Sequence, residues 1–323
     1  MSISRRHALR ASFAAAAAPY ALLGSAQGSF PSRPVTIVVP STAGGGLDII
    51  ARKLGLSLSE QWKTPVVVEN KSGGIGTIGT SAVVRAKPDG HTLLLINTPL
   101  IQVPWILQVS YDPLKDLIPL ARLTVSYTML AVHKSSPANS LEELLAMAKA
   151  SPGKYSYGSW GAGTSTHLYA HLLCTQAGVD MTHVPYNGAA PMLNALVGEQ
   201  ITAAFVDPGS SAAHAASIKL LAVVGSQRMP QFPNVPTLKE KGYRSFDELG
   251  WTGVFAPAQT PAPVVAQLSA DIVRSMKQPE LNAWFGSLKM SPDAVGSAEF
   301  TEIVRQDHAV WGKIIRDANV TNR

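Results

Sequence analysis

Several protein classes are excluded by what this chain lacks. Its 323 residues include one cysteine, Cys174, so no internal disulfide can form, and the leucine-rich helical pattern around it predicts a core residue. The early apolar run from Ala11 to Leu23 is only about a dozen residues long, which is too short for a membrane-spanning helix. Lysine and arginine form no cluster that could follow a phosphate backbone, so we expect no nucleic-acid partner. With 46% hydrophobic and 15% charged residues, the chain can bury a substantial core and is not disordered.

Acidic residues are also absent before Asp48, and this absence helps to predict the cellular location of the protein. Arg5 and Arg6 precede the early apolar run, and small residues follow it around Ala26. This arrangement is typical of a bacterial export signal, here residues 1–26, and predicts a periplasmic protein cleaved near Ala26. The paired arginines are typical of the twin-arginine route, although an ordinary secretory signal with two adjacent arginines stays open. Removal of the segment takes three arginines with it and lowers the formal net charge from +6 to +3.

Two glycine-rich loops each join a strand-like segment to a helix-like one. The first runs from Pro40 to Asp48, after an apolar segment, and the second runs from Gly158 to Leu168. A loop of this kind leaves free backbone N–H groups at the N-terminus of a helix, where about half a positive charge favours a carboxylate or a phosphate. The two loops together predict an anion held between two lobes.

Strand-like and helix-like segments alternate along the chain, which favours an α/β fold. Continuous apolar strands with helical connections predict two lobes, each a mostly parallel sheet flanked by helices, with the ligand in the cleft between them. We assign residues 31–125 and 250–323 to lobe 1 and residues 126–249 to lobe 2, so that two crossings form a hinge. One strand is expected from about Leu123 to His133, and the stretch after residue 261 is expected to be mostly helical.

Two motifs could indicate a cofactor or a metal, and each has a simpler explanation. Gly74, Gly76 and Gly79 fit a dinucleotide-binding pattern, but no acidic residue follows about twenty positions on to hold a ribose. His167 and His171 have a spacing that can bind zinc, but no adjacent glutamate accompanies them. We therefore expect no cofactor and no metal. The glycines would serve a tight turn and close helix packing, and His167 would support its loop by hydrogen bonding.

An exported hydrolase stays open as a rival function. Ser159, Ser165 or Thr166 could act as a nucleophile with His167 as the base, and the substrate would then be a small organic acid. The sequence shows neither a convincing orienting acid nor the strained elbow of such enzymes. Hydroxyl groups at the start of a helix more commonly cap it or donate to an anion.

Six segments occur in a fixed order along the mature chain: Pro40 to Asp48, Val67 to Gly79, Pro88 to Leu94, Gly158 to Leu168, Val184 to Pro191 and Val235 to Gly242. With these segments the sequence resembles the tripartite tricarboxylate transporter solute-binding proteins, also called Bug receptors. The resemblance implies a two-lobed periplasmic-binding-protein fold, no catalysis, and a small organic carboxylate as ligand. It also implies delivery of that ligand to a membrane transporter with one large and one small subunit. We expect a monomer, and a sensor that presents ligand to a signalling protein is the alternative to delivery.

Two positions depart from the family pattern. Leu47 stands where many members have a small or hydroxyl residue, and Asn187 stands where many have arginine or lysine. Loss of that positive charge argues against a tricarboxylate and favours a monocarboxylate or a less charged ligand.

The two loops and the resemblance together give the expected ligand-binding residues. These residues are Ser41, Thr42, Ala43, Gly44, Gly45, Asp48, Thr98, Ser159, Gly161, Ala162, Gly163, Thr164, His167, Tyr186, Asn187, Gly188 and Asp207. Asp48 is interpreted first as a helix cap. Asp207 follows a predicted strand, and in the cleft it would repel a carboxylate and favour an amine or a hydroxyl. Aromatic side chains could also line the ligand site, namely those of Trp105, Trp160 and Tyr186.

Overall fold

Two β-sheets organise the chain in the computed structural model, which describes residues 30–186, 188–247, 249–288 and 290–317. The predicted export signal and Asn187 lie outside the described residues. From Arg33 onward the chain forms one compact unit. Within the described ranges, none of the helices combines the length and the apolar character that a membrane crossing requires.

The strands of the described chain are, in order, β1 (Val35–Val39), β2 (Val66–Asn70), β3 (Thr92–Asn97), β4 (Leu117–Ser126), β5 (Thr128–His133), β6 (Ser156–Ser159), β7 (Thr182–Pro185), β8 (Ala203–Val206), β9 (Ile218–Val224), β10 (Gly250–Pro257) and β11 (Ser291–Gly296). The first sheet has the order β11-β4-β10-β3-β1-β2, and the second has the order β7-β6-β8-β5-β9. Strand β1 is parallel to β2 and β3, and β6 is parallel to β7 and β8. These parallel strands are joined by helical connections, as the sequence pattern predicted.

The helices of the described chain are α1 (Gly46–Trp62), α2 (Thr77–Val84), α3 (Pro99–Ile106), α4 (Leu141–Ala150), α5 (Ser165–Ala177), α6 (Ala189–Val197), α7 (Pro208–Ser211), α8 (Ala262–Met276), α9 (Pro279–Ser287) and α10 (Ser297–Asp317). Helix α4 begins where its sequence predicts, because the Ser140 hydroxyl accepts a hydrogen bond from the Glu143 N–H at 3.2 Å. Helices α1 and α5 follow the two glycine-rich loops.

The predicted α/β fold with two helix-flanked sheets is confirmed, but both sheets are mixed rather than mostly parallel. Strand β10 is antiparallel to β3 and β4, β11 is antiparallel to β4, and β5 is antiparallel to β8 and β9. The antiparallel pairs gather around β4, β5 and β10, the strands that carry the chain from one sheet to the other. The predicted boundaries of two moving lobes stay a prediction.

The expected single strand from Leu123 to His133 is wrong. Strand β4 ends at Ser126 in the first sheet, and β5 begins at Thr128 in the second sheet. Both strands are buried, so the apolar pattern continues across Tyr127 and does not mark the change of sheet. Strand β11 was also missed, because it is half-buried throughout and contains Pro292, a residue suited to the edge of a sheet.

The last helix, α10, contacts the first sheet and a helix that flanks the second sheet. It packs against β4 and α3, and it also contacts α5. Trp311 on α10 is buried, and its ring lies 5.1 Å from the ring of Tyr169 on α5. The indole N–H of Trp251 on β10 donates to the buried Asp307 carboxylate of α10 at 2.8 Å. These contacts hold α10 against the strand that returns from the second sheet and against the helix behind the second loop.

Candidate ligand-binding cleft

A cleft of about 390 Å³ lies where strand ends of the two sheets meet. From the first sheet and its helices it is lined by Ser41, Gly45, Gly46, Leu47, Ile50, Asn97, Thr98, Pro99, Val125, Ser126, Gly250, Trp251, Thr252, Met290 and Ser291. From the second sheet and its loops it is lined by Tyr127, Thr128, Trp160, Thr164, Ser165, Asp207, Pro208 and Gly209. Thr98 follows β3 and Asp207 follows β8, so the cleft lies beyond the carboxyl ends of parallel strands, where ligands of such sheets bind.

The first residues of two helices, Gly46 of α1 and Ser165 of α5, line this same cleft. N–H groups in the first turn of a helix have no partner within the helix, and they carry the positive end of the helix dipole. The chain reaches α1 through Gly44, whose φ of +79° is one that few side chains adopt. The cleft therefore has two oriented sources of positive potential, one from each sheet.

Asp48 stabilises the first loop rather than lining the cleft. Its carboxylate accepts from the Gly44 N–H at 2.8 Å and from Arg52 Nε at 3.0 Å, and it forms a second contact with the Arg52 guanidinium at 2.9 Å. Hydrogen bonding to Arg52, followed by that to Gly44, lowers the pKa of Asp48 to about 2. Arg52 also donates to Asn70, which in turn donates to the Ser41 carbonyl at 3.2 Å. The loop is thus held by charges that face away from the ligand space.

The second loop uses most of its amides internally. The Gly161 N–H donates to Ser159 Oγ at 3.2 Å, and the Gly163 N–H donates to His167 Nδ1 at 3.1 Å. The Thr164 hydroxyl donates to the Gly161 carbonyl at 2.8 Å. Gly161 has a φ of +134° and Gly163 a φ of +80°, so the loop requires glycine at both positions. What it presents to the cleft is Trp160, Thr164 and the start of α5.

Behind the second loop lies a stack of histidines. The rings of His167 and His183 stack with centroids 3.9 Å apart, and His183 Nε2 lies 2.7 Å from Ser159 Oγ. Burial, followed by the neighbouring His183 and His171, lowers the pKa of His167 to about 4, so the ring is neutral at pH 7. The expectation that His167 supports its loop agrees with its bond to Gly163. Ser159 is 0% exposed, so its hydroxyl cannot reach a substrate in the cleft.

The other sequence motifs have structural roles as well. Gly76 has a φ of +93°, and a Cβ on Gly79 would lie 2.9 Å from the Lys71 carbonyl oxygen, so these glycines serve a tight turn and close packing. Cys174 packs against the core, and burial raises the pKa of its thiol to about 11. No group of metal-ligating side chains occurs in the part of the chain that the structure describes.

The cleft has a mainly apolar lining with a few polar groups, and it contains no cationic side chain among the described residues that line it. Asp207 provides the carboxylate in this lining. Two buried donor atoms of lining residues, Ser41 Oγ and Trp160 Nε1, have no hydrogen-bond partner within the described residues. The Thr98 hydroxyl is already engaged, because it accepts from the Trp251 N–H at 2.9 Å. An anion in the cleft would therefore meet backbone donors at two helix starts instead of a lysine or arginine.

The structure brings part of the predicted set into the cleft. Ser41, Gly45, Thr98, Thr164 and Asp207 line it. The predicted residues outside its lining are Thr42, Ala43, Gly44, Asp48, Ser159, Gly161, Ala162, Gly163, His167, Tyr186 and Gly188. Of the aromatics, Trp160 lines the cleft, whereas Trp105 packs on His308 and Tyr186 packs on the second sheet's core. Ligand contact stays a prediction for every one of these residues.

Several lining residues were not predicted from sequence. Gly46 and Ser165 lie inside the two predicted loops, each next to an expected ligand residue, and the helix starts themselves were the available signal. Ser126, Tyr127 and Thr128 line the cleft because the chain crosses between the sheets there. That crossing could have been found only by dividing the long apolar run correctly.

A larger cavity of about 680 Å³ lies behind α7. It is lined by Asn139, Pro208, Ser211, Ala212, Ala215, Ile218, Lys219, Leu220, Met229, Gln231, Phe232 and Val235. No residue of either glycine-rich loop contributes to it. Its size alone does not make it the anion site, because the starts of α1 and α5 open into the smaller cleft.

Comparison with known proteins identifies the family. Residues 50–320 match the family model described as "Tripartite tricarboxylate transporter family receptor". The chain belongs to this family. The receptor is 35% identical over 292 residues to a UPF0065 protein in the tcbD-tcbE intergenic region of Pseudomonas sp. (strain P51), with 89% of this chain and 87% of that protein covered.

Solved structures of similar proteins support the same assignment. The periplasmic binding protein BugD is 30% identical to the receptor, with a TM-score of 0.75 over 91% of this chain and 100% of that chain. MatC from Rhodopseudomonas palustris, solved with bound malate, is 30% identical, with a TM-score of 0.74 over 88% and 100%. The family consists of solute-binding receptors rather than enzymes, so the expectation of no catalysis is confirmed and the hydrolase alternative is wrong.

Proposed function

We propose that the receptor binds a small organic carboxylate in the cleft between its two sheets and delivers it to a tripartite transporter with one large and one small membrane subunit. The observation that carries the proposal is the shared cleft at the starts of α1 and α5, which contains no cationic side chain among its described lining residues. Helix N-termini bind carboxylates through backbone N–H groups and their dipoles. MatC, a structural relative, holds malate, which is itself a carboxylate.

We also propose that the protein is exported to the compartment where it meets its ligand. Residues 1–26 would be removed as an export signal near Ala26, by either the twin-arginine or the ordinary secretory route. The mature receptor would act in the periplasm as a monomer. Residues 31–125 with 250–323 and residues 126–249 would close as two lobes on the ligand.

Calorimetry on the purified mature chain tests binding. A panel of mono- and dicarboxylates should contain a ligand that binds with one-to-one stoichiometry and is recovered chemically unchanged after incubation. A panel with no binder in it, or a ligand that is converted to product, contradicts the proposal.

Delivery is tested separately in the source bacterium. Uptake of the labelled ligand should fall equally when the receptor gene or the gene of the large membrane subunit is deleted. Unchanged uptake without the receptor, together with loss of a transcriptional response to the ligand, would support the sensor alternative.

A further inference from the structure

Asp207 lines the ligand cleft at the end of a strand of the second sheet. It directly follows β8, whose four residues are all buried, and it precedes the short helix α7. One carboxylate oxygen accepts from the Ser210 N–H at 2.8 Å, and the other accepts from the Ser210 hydroxyl. Asp207, Pro208 and Gly209 all line the cleft. The carboxylate is therefore fixed in place at the edge of the ligand space.

The charge of Asp207 has no cationic partner within the described residues. Asp48 is paired with Arg52, and Asp271 with Arg274, but the partners of the Asp207 carboxylate are both groups of Ser210. Each carboxylate oxygen can accept more than one hydrogen bond, so two donors leave acceptor capacity unused. The unused capacity lies in a cleft that offers no lysine or arginine from its described lining.

The cleft lining consequently combines positive potential with a negative charge. The starts of α1 and α5 present donors and positive potential, and Asp207 presents acceptors and negative charge. A ligand carboxylate is stabilised by the helix starts, whereas a second carboxylate in the same small cleft would face the charge of Asp207. Like charges held close together outside bulk water repel strongly.

From this polarity we infer that Asp207 selects a ligand with one carboxylate and a hydrogen-bond donor at its other end. An ammonium group suits Asp207 best, because it adds an opposite charge, and a hydroxyl group suits it next. The inference rests on the proposed function and adds the class of ligand: amino or hydroxy monocarboxylic acids in preference to dicarboxylic acids.

A matched ligand series tests the inference on the mature wild-type receptor. Butanoate, 4-hydroxybutanoate, 4-aminobutanoate and succinate share a four-carbon chain and differ at the end away from the first carboxylate. A six-carbon series from hexanoate to adipate extends the test to longer ligands. Calorimetry should show the highest affinity for the acid with a terminal amine, followed by those with a terminal hydroxyl, a terminal methyl and a second carboxylate.

Asp207→Asn should reorder this ranking. The variant retains a good helix-capping side chain, so its melting temperature should match that of the wild type. Its preference for the amine over the diacid should fall by about tenfold or more. Ser211→Ala is the control, because the Ser211 hydroxyl donates to the Asp207 backbone carbonyl at 2.6 Å and leaves the carboxylate alone. This control should keep the wild-type ranking.

The outcomes separate the two levels of the proposal. Two results would overturn the selectivity of Asp207: equal wild-type affinities for all acids of one chain length, or a ranking that is the same in Asp207→Asn. The receptor function would stand in either case. A wild type that binds no acid of either length contradicts the carboxylate-binding function itself.

Discussion

Replacing Gly46 with proline tests anion binding at α1 without disturbing the helix. Gly46 is the first residue of α1, and Gly45 before it has φ −75° and ψ 167°, an extended conformation that a following proline accepts. Proline is favoured at the first helical position, because the N–H that it lacks would have no partner within the helix. A Cβ on Gly46 would meet no heavy atom within 4 Å. The substitution thus removes the N–H of a residue that lines the cleft, and the added Cβ meets no neighbouring atom.

The expected loss of affinity follows from one hydrogen bond. A bond to a charged group contributes about 1.5–3 kcal/mol, so the dissociation constant of a bound carboxylate should rise about 10- to 150-fold. The free energy of unfolding should not fall, because proline in a compatible conformation stabilises by about 0.4–1 kcal/mol through the unfolded chain. Gly46→Ala is the matched control, since it keeps the N–H and adds a methyl group in open space. Its affinity should stay within about threefold of the wild type.

Calorimetry with a carboxylate that binds the wild type measures the affinities, and thermal unfolding followed by circular dichroism measures the stabilities. A Gly46→Pro variant with wild-type melting and wild-type affinity would refute anion binding at this helix start. Equal losses in the proline and alanine variants would indicate a steric effect of the side chain instead of a lost donor.

Measurable results follow from the second loop, from His167 and from the absence of cationic side chains among the described residues of the cleft. Gly161→Val, at a φ of +134°, should lower carboxylate affinity in calorimetry by about tenfold or more. Gly178→Val, at a φ of +63° at the far end of α5, should lower the melting temperature and leave affinity unchanged; equal affinities of both variants would place the loop away from the ligand. The pKa of His167 is lowered to about 4 by burial and by His183 and His171, so the stability linked to its neutral ring is present above pH 6.5 and is lost as the pH falls toward 4. Urea unfolding between pH 7 and 4 should therefore show a smaller pH dependence in His167→Gln than in the wild type, and identical slopes would contradict this linkage. Carboxylate affinity should change less than about tenfold between low and physiological salt, because a buried anion held by dipoles is poorly screened; a steeper dependence in calorimetry would indicate an ionic site on the surface.

The features that sequence predicted well depend on partners a few residues apart. His167 supports its loop through Gly163, four positions away, as predicted. Asp48 was interpreted as a helix cap, but the N-cap of α1 is Gly45, which has no side-chain cap bond, and Asp48 instead accepts from Gly44, four positions before it. Contacts at this spacing are set by local geometry, since residues four apart share one face of a helical turn. The two helix starts at the cleft could be anticipated for the same reason.

The features that sequence did not predict depend on contacts between distant segments. Ser159 was a candidate ligand residue, but the pairing of β6 with β7 brings His183 to it across 24 positions and buries it. Tyr127 reaches the cleft because a continuous apolar run is divided between two sheets. The burial of a polar residue by a distant segment, and a change of sheet within an apolar run, leave no periodic pattern in the sequence.

The contact between Trp311 and Tyr169 restricts where a hinge axis can pass. Both rings are buried, and they join the last helix to the helix whose start lines the cleft. In the proposed closure of two lobes, a rotation about an axis through this aromatic pair would keep the pair covered. A rotation about any distant axis exposes two large rings to water at about 25 cal/mol for each Å² uncovered. Under that proposal the pair would act as a pivot, and the ligand-free receptor should swing about its C-terminal helix rather than separate from it.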